Sequence, residues 1–384
     1  MEVHKLLALI PEKDLEFLAA DTKVDHQVKK LDGICLFRLI LYSMLNSHKV
    51  SLRIMEHFYS TAAFRTLAGR SDGSSKFNSI RDRIVNINSD FFERLFYSVF
   101  DNFNVYFKEK DALCRFDSTM IAASAKLVDW SMTGGLGKMK RQIKLTVGMQ
   151  GSFPCHVEIF TEKRCLNENL TIPVAIANSK VTEGNIVVFD RGVQKRAVFD
   201  SLSEEDQIFV TRIKTNILYE IIKVLQIKES VCPETGLVIK KSLVIKLKDG
   251  DLKLTKHEFR LIKAYSPKTE KDIFFLTNIP EMDEFEIALI YKKRWEIEVL
   301  FKFLKQHLCL EHLVTRKPNG IKVMLYMTLI LAILIIAYKK SNNLKGYKIV
   351  KFAFATKLEN LIIKDIVVLC GGDPDKAKHL FNSS

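Results

Sequence analysis

Two short apolar runs that each close on an aspartate set the tightest limit on how this chain folds. Cys114-Arg115-Phe116-Asp117-Ser118-Thr119 and Val187-Val188-Phe189-Asp190-Arg191-Gly192 both read as buried strands with an acid at the exit. One such Asp alone is as readily a turn former or a helix cap. Two of them matter more, because open α/β sheets place their sites at strand ends. Further strand patterns surround them at Gln142 to Gln150, Cys155 to Phe160 and Ile208 to Ile213, with a helix over Leu170 to Ala177. Strands mixed with helix, and acids at strand exits, predict a mixed α/β sheet.

Changes of pattern divide the rest of the chain. Residues 1–108 read as an N-terminal helical domain, with DNA binding and packing as its candidate roles. In it Lys30 to Asn46 is long and apolar, Ser51 caps a helix to Tyr59, and Asp90 with Glu93 forms a capping box. Residues 109–345 read as the sheet domain, the candidate catalytic domain once its acids are considered, interrupted over 216–285 by a β-rich insertion that turns at Asp249-Gly250. A single long helix is predicted from Asp283 to about Leu310, and residues 346–384 form a C-terminal helical tail. Val323 to Tyr338 is apolar apart from Thr328. Its 16 residues fall short of the about 20 that a membrane span needs, so it reads as a buried core helix, with a membrane anchor as the alternative.

The formal charge of +14 favours a polyanionic partner, nucleic acid before an anionic membrane surface, although a solvated basic surface would carry it equally well. The seven cysteines are scattered and contain no C-x-x-C pair, which argues against a disulfide framework or a zinc knuckle and points to a reducing cytoplasm. The opening Met1-Glu2-Val3-His4-Lys5 does not read as a secretory signal.

The third acid lies in Tyr291-x2-Arg294-x3-Glu298-x6-Lys305. On one helix these four side chains share a narrow polar sector beside an apolar stripe of Ile297, Leu300, Phe301, Leu304 and Leu308. Such a face suits a metal-bound surface turned toward phosphates; it equally suits a solvated face with an Arg294–Glu298 ion pair. Joined to Asp117 and Asp190, Glu298 would complete an all-oxygen set fit for Mg²⁺. Two such ions activate the attacking oxygen and stabilise the leaving one in phosphoryl transfer.

The four-residue spacing resembles the Y-R-E-K motif of the insertion-sequence 4 group of bacterial DDE transposases. Asp117-Ser118-Thr119, Asp190-Arg191-Gly192, Phe209-Val210-Thr211-Arg212 and Arg294-Trp295-Glu296-Ile297-Glu298 look like phrases of that group. The resemblance covers about residues 110 to 345. It implies an RNase H-like core in which Asp117, Asp190 and Glu298 hold Mg²⁺ or Mn²⁺, two ions in all, while Tyr291, Arg294 and Lys305 contact DNA phosphates. It implies hydrolysis that frees a 3′-hydroxyl, attack of that hydroxyl on target DNA, and a homodimer bridging the inverted repeats at the two transposon ends. Such a protein works on the bacterial nucleoid. The alternatives are a nuclease of the same core that never joins DNA and a catalytically inactive DNA-binding relative. Trp295 is either a stacking platform for an extruded base or a core residue.

Weaker patterns yield less. Gly134-Gly135-Leu136-Gly137-Lys138 fails as a P-loop, because Met132 and Met139 stand where glycine and Ser/Thr are required. It reads as a flexible basic loop, with Lys138, Lys140, Arg141 and Lys144 tracking DNA backbone. His307 and His312 lack the i,i+4 spacing of a zinc pair and read as ordinary surface or packing residues. Lys76, Asn78 and Arg81 form the candidate major-groove contact of the N-terminal helices, which otherwise serve packing or subunit pairing.

Overall fold

In the computed structural model the described residues are 1–28, 30–70, 74–108, 112–123, 132–133, 141–225 and 229–377. The chain divides into two compact units, Met1–Lys108 with Lys302–Ser384, and Glu109–Phe301.

The first unit is helical. It begins with α1 (Val3–Leu7), α2 (Glu12–Asp21), α3 (Gly33–Asn46), α4 (Leu52–Tyr59), α5 (Ala62–Ala68), α6 (Phe77–Asn86) and α7 (Asp90–Phe107). Ser51 caps α4 as predicted, accepting the Ile54 N–H at 3.2 Å, and Asp32 caps α3 through Cys35 N–H at 2.7 Å. The predicted box at Asp90 does not form. Asp90 is already the first helical residue, its N–H donates to Asn88 Oδ1 at 3.1 Å, and the preceding Ser89 makes no side-chain cap.

The second unit carries the sheet. Its strands are β1 (Leu113–Ala123), β2 (Met132–Thr133), β3 (Arg141–Gln150), β4 (Phe153–Phe160), β5 (Ile186–Phe189), β6 (Phe209–Ile213), β7 (Tyr219–Leu225), β8 (Ser230–Val231), β9 (Val238–Leu247), β10 (Phe259–Ser266) and β11 (Lys271–Thr277). Among the described residues they join in the order β2-β3-β1-β5-β6-β11-β10-β9-β7, with β4 beside β3 and β8 beside β9. β1, β5 and β6 run parallel, and their other neighbours are antiparallel. The sheet is therefore mixed, as the sequence predicts. Residues 216–285 supply β7 to β11, which extend the same sheet from β6 outward.

Helices α8 (Glu168–Asn178) and α9 (Arg196–Glu204) cover one face, meeting Phe116, Phe189, Phe209 and Phe259. On the other face α10 (Glu284–Lys293) sets Ile287 and Ala288 against Val188, Val210, Ile262 and Phe275. The middle strands are therefore buried on both sides, which is why β5 reads as an unbroken apolar run.

After α11 (Trp295–His307), α12 (Pro318–Ser341) and α13 (Tyr347–Leu369) belong to the helical unit. The compact units thus part at 301/302, whereas the sequence pattern set the catalytic domain's end at 345. A physical reason is visible in α12. Every residue from Val323 to Tyr338 is buried, and the helix packs against α1, α3, α6, α7 and α13. A helix that is apolar all round needs partners all round. It is long and apolar enough to cross a membrane, but 94% of its apolar window is buried inside the structure, as in a core helix.

Phe209 anchors the sheet core, fully buried with ring centroids of Phe199, Phe189 and Phe259 at 5.6, 5.9 and 6.0 Å. Phe209→Ala is expected to destabilise the sheet unit by about 3–5 kcal/mol. Chemical denaturation checks this, and a loss under about 1 kcal/mol would show that the site collapses to fill the void.

Candidate active site

Parallel pairing of β1 with β5 sets Phe116 opposite Phe189, so Asp117 and Asp190 follow as neighbours on adjacent strands. β5 stops at Phe189, as the sequence implies. β1 does not stop at Asp117, because its antiparallel pairing with β3 continues to Ala123. Asp117 therefore sits within its strand, just beyond the end of its parallel neighbour. Its carboxylate accepts the Ser118 N–H at 2.8 Å, and Asp190 accepts the Gly192 N–H at 2.7 Å. Burial pushes the Asp117 carboxyl up to about 7. The Ser118 N–H and Arg294 oppose that rise, and the nearby charges of Asp190 and Glu168 add to it.

The predicted single helix from Asp283 to Leu310 is two helices, α10 and α11, broken at Arg294. Asp283 caps the first through the N–H groups of Phe285 and Glu286, at 2.8 and 3.2 Å. At the break the bonds tighten to i→i+3: Arg294 N–H to Tyr291 O and Ile297 N–H to Arg294 O, both 3.1 Å. From this turn the Arg294 guanidinium spans two acids, reaching Asp117 Oδ2 at 3.2 Å and pairing with Glu298 Oε1. The Arg294–Glu298 ion pair foreseen for a solvated face thus forms, but with Arg294 largely buried, its side chain 12% exposed.

A parallel link lies two residues earlier on both elements. Arg115 on β1, its side chain 1% exposed, pairs with Glu296 on α11 and donates to Gly151 O at 2.6 Å. Arg115–Glu296 and Asp117–Arg294–Glu298 together tie β1 to the start of α11. The signal for the first link was an arginine inside an apolar strand, which the sequence analysis left unused.

Glu168, at the start of α8, also escaped the sequence analysis. It pairs with Lys144 at 2.8 Å and accepts the Ser118 hydroxyl at 3.3 Å. Gly192 makes room for it: a Cβ there would lie 2.7 Å from Glu168 Cγ and 2.8 Å from Asp190 Oδ1. Lys144, assigned from sequence to a basic DNA-tracking loop, is instead a buried β3 residue whose charge Glu168 neutralises. The other part of that expectation, residues 134–140, lies outside the described residues.

Tyr291 lies against Phe275 at 5.4 Å between ring centroids, with the Arg294 and Arg212 guanidinium carbons 5.6 and 5.9 Å from its own. Burial raises its hydroxyl pKa, and the two arginines oppose that shift. The Nε atoms of Arg294 and Arg212 are buried and find no acceptor among the described residues. Trp295 is 64% exposed, so the core reading of this residue is wrong: the apolar side of α11 is taken by the buried Ile297, Leu300 and Phe301. Lys305 belongs to the helical unit, where it pairs with Glu311 at 3.0 Å. There too Asn78 and Arg81 are exposed on α6, Lys76 stands just before it, Lys76 pairs with Glu56 at 3.2 Å, and Arg81 pairs with Asp82 at 2.8 Å.

Among the described residues no three His, Cys, Asp or Glu side chains already form a closed metal cage. Asp117 and Asp190 adjoin directly, and Glu298 joins them through Arg294. The donor set nevertheless suits a hard divalent cation. It is all oxygen, and Asp117 and Asp190 follow residues that are paired across adjacent strands.

Residues 110–334 match the family model described as transposase DDE domain. A Synechocystis sp. protein, provisionally named the transposase for insertion sequence element IS4SA, is 30% identical over 57% of this chain and 58% of its own length. A Sinorhizobium fredii protein, provisionally named transposase y4zB, is 30% identical over 39% of this chain and 41% of its own. The chain thus spans about half the length of these two curated relatives. A cryo-EM structure of the piggyBac transposase synaptic complex with hairpin DNA aligns with 95% of this chain and 82% of its own. Its 10% identity and TM-score of 0.48 make that likeness too loose to carry function.

The elevated Asp117 carboxyl has a consequence for stability. A folded-state value near 7 against an ordinary 3.8 means that the folded chain holds this proton more tightly than the unfolded one. Its contribution is fully present below about pH 4 and is lost as pH rises to about 7. Metal-free Asp117→Asn should therefore melt with wild type near pH 4 and several degrees above it at pH 8, a gain of roughly 1–4 kcal/mol. An identical offset at both pH values in thermal melts would mean that Asp117 titrates normally.

Proposed function

We propose that this chain, which belongs to the transposase DDE domain family, cuts DNA at the ends of a mobile element and joins the freed ends to target DNA. The observation that carries this reading is the meeting of strand acids Asp117 and Asp190 with Glu298, brought to them by Arg294. Asp117, Asp190 and Glu298 would hold one or two Mg²⁺ or Mn²⁺ ions. When bound, such ions activate an attacking oxygen and stabilise the leaving one.

The protein's own residues supply position and charge. In the first step a water oxygen bonds to phosphorus as the P–O3′ bond breaks, leaving a 3′-hydroxyl at the element's end. In the second that hydroxyl attacks a target phosphodiester and displaces its 3′ oxygen. Tyr291, Arg294 and Lys305 hold phosphates of the element's end, and the unpartnered Nε groups of Arg294 and Arg212 are donors suited to that task. The exposed Trp295 offers a stacking face to an unpaired base. Lys76, Asn78 and Arg81 on and beside α6 read the terminal inverted repeat, and two copies of the chain bridge the two ends. The working site is the bacterial nucleoid.

Asp117→Asn, Asp190→Asn and Glu298→Gln should each reduce nicking of an element-end duplex to background while the gel-shift affinity for that duplex survives. Near-normal nicking by any of them removes that residue from the set. A pre-cut end that wild type fails to join would restrict the protein to a nuclease. Lys305→Ala should weaken end binding more at low salt than at high, flattening the salt slope by about one counterion. An equal loss at all salt concentrations would argue against a phosphate contact.

A further inference from the structure

Arg294 already pairs with two of the three candidate metal-binding acids. Its guanidinium engages an oxygen of Asp117 and one of Glu298, the two acids that come from different elements. A carboxylate oxygen already bonded to a guanidinium is a poor ligand for a second cation, because the positive charges repel at close range and the lone pairs are shared. The same side chain is also incompletely bonded where it stands. It is 12% exposed, and its Nε is buried without an acceptor. A buried donor left open costs free energy that an anion beside it would recover. A phosphodiester offers what is missing, because its oxygens match the guanidinium fork.

We infer that Arg294 is a resident counter-cation which a DNA phosphate draws away from Asp117 and Glu298, so that phosphate and divalent ion bind with positive coupling. The inference rests on the carboxylate reading of the site and adds its regulation. Without DNA, Arg294 holds the two acids together and competes with metal. With DNA, its fork turns to the phosphate, the carboxylates are released, and the ion takes over their neutralisation. By linkage, metal then strengthens the protein's hold on phosphate by the same factor. The device keeps a phosphodiester-cleaving centre poorly loaded until a substrate phosphate is in place.

The test is Mn²⁺ binding to the full chain without DNA, read from the loss of the free-ion electron paramagnetic resonance signal. Arg294→Gln removes the competing charge and should bind Mn²⁺ about 5- to 50-fold more tightly than wild type. Arg294→Lys keeps the charge without the fork and should fall between them. Thermal melts confirm that each variant is folded. If Arg294→Gln binds Mn²⁺ equally or more weakly, Arg294 does not compete with the ion, and the inference is overturned. A failure of the underlying reading looks different: Asp117→Asn would then bind Mn²⁺ as well as wild type does. A second measurement uses fluorescence anisotropy of a labelled 20-base-pair duplex with and without Mn²⁺, taken in the Glu298-intact chain at low temperature. Wild type should bind it more tightly with Mn²⁺, and Arg294→Gln should lose that gain. Equal gains in both proteins would overturn the coupling.

Discussion

Everything at the site depends on the pairing of β1 with β5. These strands are adjacent only because the chain crosses over through α8 between them, and their parallel register sets Phe116 against Phe189. A slip of one residue would turn every side chain of β5 to the opposite face of the sheet. Register is secured by burial on both sides: Val187 and Phe189 fill one core and Val188 fills the other. With that packing in place, Asp117 and Asp190 have no freedom to separate. The hydrophobic core thereby sets the distance between two like charges that would otherwise move apart.

Holding acids so close has an electrostatic cost, and the fold meets it with arginines and one buried lysine. Arg294 spans Asp117 and Glu298, Arg115 joins Glu296, and Lys144 neutralises Glu168. These pairs differ in kind. Arg115 and Lys144 are almost fully enclosed, and each has both a carboxylate and a backbone carbonyl to bond, so they act as fixed ties. Arg294 spans two carboxylates and is the less enclosed of the arginines, its side chain 12% exposed against 1% for Arg115. Breaking a fixed tie leaves a buried charge uncompensated, which is strongly destabilising. Moving Arg294 to another anion leaves Asp117 and Glu298 for a second cation to neutralise.

The helix break at Arg294 connects this electrostatics to backbone geometry. A continuous helix would have put Tyr291, Arg294 and Glu298 on one face at fixed spacing. The tightened turn separates their roles. Tyr291 packs on Phe275 beneath the two arginines, Arg294 reaches the strand acid, and Trp295 faces outward. One short stretch of chain so presents a half-buried aromatic, a bridging cation and an exposed ring within five positions.

The amino-acid sequence by itself determined the mixed sheet, the helical character of residues 1–108, the three acids and the spaced motif around Glu298. All of these are local: an apolar run, a helical period or a fixed interval between side chains is present in the chain before it folds. The tertiary structure decided what depends on distant partners. It extended β1 past Asp117 through pairing with β3, broke the helix at Arg294, buried Lys144 against Glu168, exposed Trp295 and drew α12 into the helical unit. The partners of Arg115 and Glu168 could not be read from the sequence for the same reason. A charge inside an apolar run announces only that a partner must exist, and the partner lies 181 residues away for Arg115. Which residue answers it is settled when the sheet forms and α11 packs, because only then do the opposite charges come within reach of each other.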